Sequence, residues 1–297
     1  MSIRYIRDLG QGSFGRVYLA TDDQFGVVAV KELKDPTIGR DRFEREARIL
    51  AEQRGNDYVV RVLRVNLTAQ RPYMVLEYCE GGSLRGWVAK MTWQNVAHAL
   101  LCAANGLLGI HAAGGFHRDI KPENLLITTA PDGGHIVKVA DFGLAQRPAT
   151  SMPPMTHSAG GTHGYMAPEL HHPNGQYSAA ADVYSLGITG IELLTGDLSV
   201  SSLQRSSAPQ SLCRLLVRMA HPTPWFRPSM ADVAIKLGEL VNAPTKQPSS
   251  GLKDLLIGAG VVAGLVAAVA ALARGSDKEW DESVQRYRGS DGRFRRG

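Results

Sequence analysis

At 297 residues the chain has room for one large or two small domains, taking roughly 150 residues for each. Hydrophobic residues make up 44% and charged residues 21%, a balance that fills a globular core and excludes a wholly disordered chain. The net charge of +5 is spread thinly rather than gathered into a basic block, so nucleic acid is not an expected partner. Cys79, Cys102 and Cys213 lie far apart, with neither metal-ligand nor redox spacing. That fits reduced thiols in a cytosolic compartment and argues against a disulfide framework. Met1-Ser2-Ile3-Arg4-Tyr5 opens a domain directly, and no secretory leader is expected.

The first 76 residues read as short strands with one helix. Val27-Val28-Ala29-Val30 and Tyr73-Met74-Val75-Leu76 are short apolar runs of the kind that form buried strands. Between them, the segment from Asp41 to Ala51 lacks Gly and Pro, and Phe43, Ala47 and Leu50 fall on one helical face. Thr92 is an expected N-cap for a long helix striped by Val96, Leu100, Ala103, Leu107 and Ile110 and stopped at Gly114-Gly115. Further helices are expected from Ala179 to Leu194 and from Met230 to Val241. After Val241 the composition changes. Residues 242–254 read as a flexible linker rich in Pro, Ser and polar groups.

Several short motifs carry chemistry. Gly10-Gln11-Gly12-Ser13-Phe14-Gly15-Arg16-Val17 is a glycine-rich turn between apolar segments, where backbone N–H groups can approach phosphate without an intervening Cβ. Lys31 follows the strand Val27–Val30 and could reach such phosphates. His117-Arg118-Asp119 follows the long helix, with Lys121 and Asn124 completing a His-Arg-Asp-x-Lys-x-x-Asn pattern. Asp141-Phe142-Gly143 and Ala167-Pro168-Glu169 come later, in that order. In order and spacing these segments resemble the protein kinase family over residues 1–241, some four-fifths of the chain.

The resemblance implies an α+β, two-lobed protein-kinase fold, with a small β-rich N-lobe (1–76), a hinge (77–83) and a larger helical C-lobe (84–241). It implies phosphoryl transfer from ATP with Mg²⁺, or Mn²⁺ in its place. Asp141 and Asn124 would hold the metal, and Asp119 would accept the proton of the attacking hydroxyl. Lys31 would bind the nucleotide phosphates, held by a glutamate from the first helix. Glu44 and Glu46 are both candidates for that partner; Glu46 is preferred because it lies one turn from both Phe43 and Leu50. The base would sit among Leu9, Val17, Ala29, Leu76 and Leu126, bonded to the backbone of Glu77 and Cys79, with Leu76 guarding the pocket behind. Gly10, Gly12 and Gly15 would cover the phosphates.

Lys121 and the run from Gly161-Thr162 to Glu169 resemble serine/threonine kinases, so protein Ser/Thr hydroxyls are the implied acceptors. Arg118 resembles the arginine of kinases switched by phosphate in the activation segment. Thr156 or Ser158 is the expected autophosphorylation site there, close before the anchoring Thr162. Asp182 would brace the catalytic-loop backbone and Arg227 would pair with Glu169. The alternative is a catalytically weak pseudokinase, a membrane-associated binding or scaffold protein.

Residues 255–273 contain no charged or hydrogen-bonding side chain. As a helix they would span about 28 Å at 1.5 Å per residue, close to a hydrocarbon core of about 30 Å. A single-pass membrane anchor with a cytoplasmic kinase domain is the expectation. Gly260 and Gly264 have the spacing that lets two such helices meet, which admits a homodimer. Residues 274–297 form a polar basic tail expected to be disordered. They carry more Lys and Arg than the linker flank (Lys246 and Lys253), opposite to the positive-inside pattern for that topology.

Overall fold

The computed structural model of the chain describes residues 2–11, 15–37, 39–130, 132–142, 164–172 and 175–243, and the backbone of 279–281, 286–288 and 294–295. The N-terminal part is a five-stranded antiparallel sheet of β1 (Ile3–Gln11), β2 (Gly15–Asp22), β3 (Gly26–Leu33), β4 (Val62–Asn66) and β5 (Tyr73–Glu77), in the order β1-β2-β3-β5-β4. Ala20, Val28, Val30 and Val75 make its dry inner layer. Helix α1 (Arg40–Glu52) crosses between β3 and β4 and buries Phe43, Glu46, Ala47, Ile49 and Leu50. Phe43, Ala47 and Leu50 are the apolar face the sequence shows, and Ile49 widens it. The fifth is a carboxylate, and it belongs to the site.

The C-terminal part is helical around α2 (Trp93–Ala112) and α3 (Ala179–Thr195). The Thr92 hydroxyl accepts the Asn95 N–H at 3.3 Å, so the expected cap starts α2, and all five of its expected stripe residues are buried. Two short strands, β6 (Leu125–Thr129) and β7 (His135–Val139), form a hairpin packed on α2. Asn124 precedes β6 and Asp141 follows β7, so both lie at the open end of the hairpin, where the Ala140 N–H donates to the Asn124 carbonyl at 2.9 Å. Helix α4 (Gln210–Met219) was not among the expected elements; α5 (Met230–Asn242) was, and it begins with a reciprocal Ser229–Asp232 capping box.

The Arg227 guanidinium donates to both carboxylate oxygens of Glu169 at 2.7 Å, and to the carbonyls of His221, Ala180 and Pro222. It also lies over the Tyr184 ring, 4.9 Å from its centroid. A lysine cannot reproduce this fork. Arg227→Lys should cost about 1.5–3 kcal/mol, the range for a hydrogen bond to a charged group. At about 2–4 °C per kcal/mol for a domain of this size, the midpoint of thermal unfolding should fall by roughly 5 °C.

Residues 259–297 form a separate unit. Within it β8 (Glu279–Asp281), β9 (Arg286–Arg288) and β10 (Phe294–Arg295) pair antiparallel in the order β10-β9-β8. Paired strands therefore occur among the described residues of the tail. Trp280, Tyr287 and Phe294 supply β-favouring residues on successive strands, and Trp280 stands opposite Tyr287 in the register. The apolar segment 255–273 and most of the linker lie outside the described residues. Among the described residues no helix is long and apolar enough to cross a membrane.

Candidate active site

Lys31 lies on β3 directly opposite Val17 of β2 and Met74 of β5, so its position is set by the sheet register. Its Nζ reaches Glu46 Oε1 on α1 at 2.5 Å and Asp141 Oδ1, after β7, at 2.9 Å. This resolves the choice between the two glutamates. Glu44 instead pairs with Arg40 on the exposed face of α1, at 3.0 Å. Burial disfavours the charge on Lys31, but Glu46 and Asp141 together hold its pKa above the ordinary lysine value. Burial likewise raises the Glu46 carboxyl, against the pull of Lys31. Of the two carboxylates, Glu46 is enclosed at 4% side-chain exposure, whereas Asp141 at 46% opens onto the cleft.

The glycine-rich turn continues this surface. Gly10 has φ +150°, and its N–H donates to Asp8 Oδ1 at 2.7 Å. A Cβ on Gly15 would lie 3.1 Å from the Glu32 carbonyl and 3.2 Å from Lys31 Cε, a tight fit that β3 would have to yield to by a few tenths of an ångström. Gly12 lies outside the described residues.

On the other side of the cleft, Lys121 Nζ sits 2.8 Å from Asp119 Oδ2. The Asn124 amide donates from Nδ2 to the Asp119 carbonyl at 2.7 Å and to its Oδ2 at 3.0 Å. With its N–H₂ committed to the loop, the Asn124 carbonyl oxygen is left as an acceptor. The loop is held from below by Asp182 on α3. That carboxylate accepts from the N–H groups of His117 and Arg118 at 2.9 and 3.0 Å, from Tyr177 Oη at 3.2 Å, and lies 2.9 Å from His111 Nε2. Burial opposes the charge, but the His111 contact and its neighbours hold the Asp182 carboxyl below the usual range. His111 was not foreseen.

Arg118 and Asp141 both have left-handed backbones, at φ 72° and 60°. Non-glycine residues rarely adopt this conformation, and strain of this kind persists where the surroundings over-determine it. Here the Asp182 bonds hold the first. For the second, Phe142 is 1% exposed and packs edge-on against the His117 ring, with centroids 4.8 Å apart. The same imidazole contacts the Ala140 carbonyl through Nε2 at 3.0 Å. The Arg118 guanidinium lies over the Tyr177 ring at 4.9 Å. Thr156, Ser158 and Thr162 lie outside the described residues.

Toward the hinge, Ala29 stands opposite Leu76 across β3 and β5, and Leu126 bridges to Ser83. Ala29 is buried, while Leu9, Val17, Leu76 and Leu126 are half-buried, as expected of apolar groups facing an open cleft. Glu77 binds the Arg61 N–H and the Lys138 ammonium, both at 2.7 Å, which ties the hinge to β7. The Cys79 thiol is buried and pushed up to about 12 by desolvation, so it is not a nucleophile.

A lysine clamped between two carboxylates across the cleft from an Asp-Lys-Asn loop, under a glycine turn, defines a nucleotide-dependent phosphotransferase architecture. The protein kinase domain matches residues 3–256. The chain belongs to the protein kinase family. It is 36% identical over 206 residues to the serine/threonine-protein kinase Pkn1 of Myxococcus xanthus, an alignment covering 66% of this chain and 29% of that protein. Similarity to serine/threonine-protein kinase A of Synechocystis is 30% over 280 residues, 81% of this chain and 53% of that protein. A putative ribosomal protein S6 kinase alpha-1 of Caenorhabditis elegans is 34% identical over 226 residues, 73% of this chain and 28% of that protein. The kinase domain is thus of the serine/threonine type, and the chain spans about half or less of the length of these relatives.

Proposed function

We propose that this protein transfers the γ-phosphate of ATP to serine and threonine hydroxyls of protein substrates. The observation that carries this reading is the continuous set of contacts Glu46–Lys31–Asp141 on one side and Lys121–Asp119–Asn124 on the other. Asp141 and the Asn124 amide oxygen are hard oxygen donors, which suit Mg²⁺ or Mn²⁺ rather than a softer metal. Such an ion would neutralise charge on the nucleotide phosphates.

The chain's own groups do the rest. Lys31, oriented by Glu46, binds phosphate oxygens. Asp119 orients the acceptor hydroxyl and takes its proton. Lys121, already beside Asp119, offsets negative charge on the group in transit. Leu9, Val17, Ala29, Leu76 and Leu126 receive the base, and the backbone of Glu77 and Cys79 fixes its edge.

Asp141→Asn should separate metal-dependent from metal-independent nucleotide binding. In the wild-type protein, ATP affinity should rise at least about tenfold when Mg²⁺ is added, a difference of 1.4 kcal/mol. In the variant the added ion should change it by less than about twofold. Equal Mg²⁺ responses in the two proteins, read by calorimetry, would remove Asp141 from the metal site.

Autophosphorylation at Thr156 or Ser158 and anchoring through residues 255–273 complete the proposal, with the kinase domain on the cytoplasmic side and pairing through Gly260 and Gly264. The apolar composition of 255–273 supports the anchor. Full-length protein should remain in alkali-washed membranes while a 1–250 truncation washes off. Release of both would make 255–273 a helix buried against protein.

A further inference from the structure

Between Asp197 and Asp232 the chain carries no acidic residue, and helix α4 lies inside this stretch. Leu212, Leu215, Leu216 and Met219 form its buried face. Arg214, Val217 and Arg218 lie on the exposed one, at the i, i+3, i+4 spacing of helical neighbours. Past the helix, the His221 N–H donates to the Arg218 carbonyl at 3.2 Å, and the His221 ring meets Phe226 edge-on, with centroids 4.9 Å apart. The 3₁₀ turn Pro224–Phe226 is thereby folded against the end of α4. Trp225 is 70% exposed, Phe226 45% and Val217 43%, large apolar groups set beside two arginines. Elsewhere in the stretch, Arg227 is committed to Glu169 and Arg205 lies 3.9 Å from Asp197. Among the described residues, neither Arg214 nor Arg218 pairs with a carboxylate.

A solvent-facing Trp and Phe flanked by uncommitted guanidiniums suit a bilayer surface, where amphipathic aromatics settle at the headgroup level and arginines meet lipid phosphates. Three apolar side chains fall well short of the about 20–30 residues a side of a stable protein interface. They are enough for a secondary contact made by a domain already held close. Helix α5 packs on α4 and ends at Asn242, and residues 243–254 lead to the apolar run that begins at 255. Those twelve residues span at most about 40 Å fully extended. We propose that this face of the helical lobe rests on an anionic lipid surface, with Trp225 and Phe226 among the headgroups and Arg214 and Arg218 on their negative groups. The proposal rests on the membrane reading of 255–273 for what keeps the domain near the bilayer; the contact itself is read separately.

The full-length protein would be reconstituted in phosphatidylcholine vesicles with and without phosphatidylserine. The acyl chains would be brominated near the glycerol end, where they quench tryptophan fluorescence at the membrane surface. The difference between wild type and Trp225→Phe isolates Trp225 from the other three tryptophans. In phosphatidylserine vesicles, bromination should lower the Trp225 emission at least about twofold. Each arginine near an anionic surface strengthens the attraction by about fivefold, so Arg214→Gln/Arg218→Gln should remove most of that quenching. Omitting phosphatidylserine should do the same. These side chains are exposed, so the variants should keep the wild-type melting temperature.

Equal quenching of wild type and Trp225→Phe in phosphatidylserine vesicles overturns the proposal, as does quenching of Trp225 that is indifferent to phosphatidylserine and to the two arginines. If Trp225 is quenched while alkaline carbonate strips the protein from the vesicles, the surface contact stands and the anchor reading falls. Protein that survives the wash with Trp225 unquenched shows the reverse. Protein that never sediments with the vesicles overturns both. An unquenched Trp225 whose replacement by serine turns a dimer into a monomer assigns the face to a second copy of the chain, and likewise overturns the lipid contact.

Discussion

Asp119→Asn should lower phosphate transfer by roughly 10²–10⁴-fold, the range for loss of a positioned general base. It should leave ATP affinity within about twofold. The amide keeps the shape of the carboxylate and can still meet Asn124 Nδ2 with its oxygen, so the loop has no reason to move. It cannot accept the hydroxyl proton, and it no longer pairs ionically with Lys121. Nucleotide contacts are assigned to the opposite wall, around Lys31, Glu46 and Asp141, so binding and chemistry should separate. This split distinguishes a working kinase from a pseudokinase scaffold, in which the wild type and the variant would share one low signal.

The second large effect is on stability. Asp182→Ala should destabilise the domain by about 3–5 kcal/mol, the range for removing one partner of a buried charged network. The melting temperature should fall by roughly 10 °C or more, at about 2–4 °C per kcal/mol for this size. The carboxylate is fully buried, and its removal deprives the His117 and Arg118 N–H groups and the Tyr177 hydroxyl of their acceptor. The strained left-handed backbone of Arg118 loses its restraint at the same time. The pH dependence follows from the direction of the shift. The Asp182 carboxyl lies below its ordinary value, so its contribution is complete above the unfolded-state pKa of about 3.9 and is lost as pH falls through the folded value. Thermal melts should therefore show the gap between Asp182→Ala and wild type shrinking as pH falls below about 4, and a gap that persisted unchanged into strong acid would contradict the assignment.

Residues that act through local spacing were legible in the sequence. Glu46 could be preferred over Glu44 because helical periodicity places it with Phe43 and Leu50, and the structure buries that face. The order of the glycine turn, Lys31, Asp119, Asn124 and Asp141 carried the two-lobed fold. Helix α4 was less legible. Leu212, Leu215, Leu216 and Met219 do form a helical stripe, but over ten residues between Pro209 and Pro222, a span short enough to read as loop. The ion pair between Arg85, in the turn after the hinge, and Glu192 on α3, at 2.6 Å, had no local signal at all. Arg85 and Glu192 are 107 residues apart, and each alone is an ordinary surface charge until the fold brings them together. His111 was hidden in the same way, on the last turn of a helix whose stripe does not include it.

The central claim is protein Ser/Thr phosphorylation, and the most direct measurement is phosphoamino acid analysis after incubation with Mg²⁺ and γ-labelled ATP. Wild-type protein should incorporate label recovered as phosphoserine or phosphothreonine, on itself or on an added protein acceptor, well above the Asp119→Asn protein. Label recovered as phosphotyrosine, or incorporation no greater than in the Asp119→Asn protein, would contradict the account.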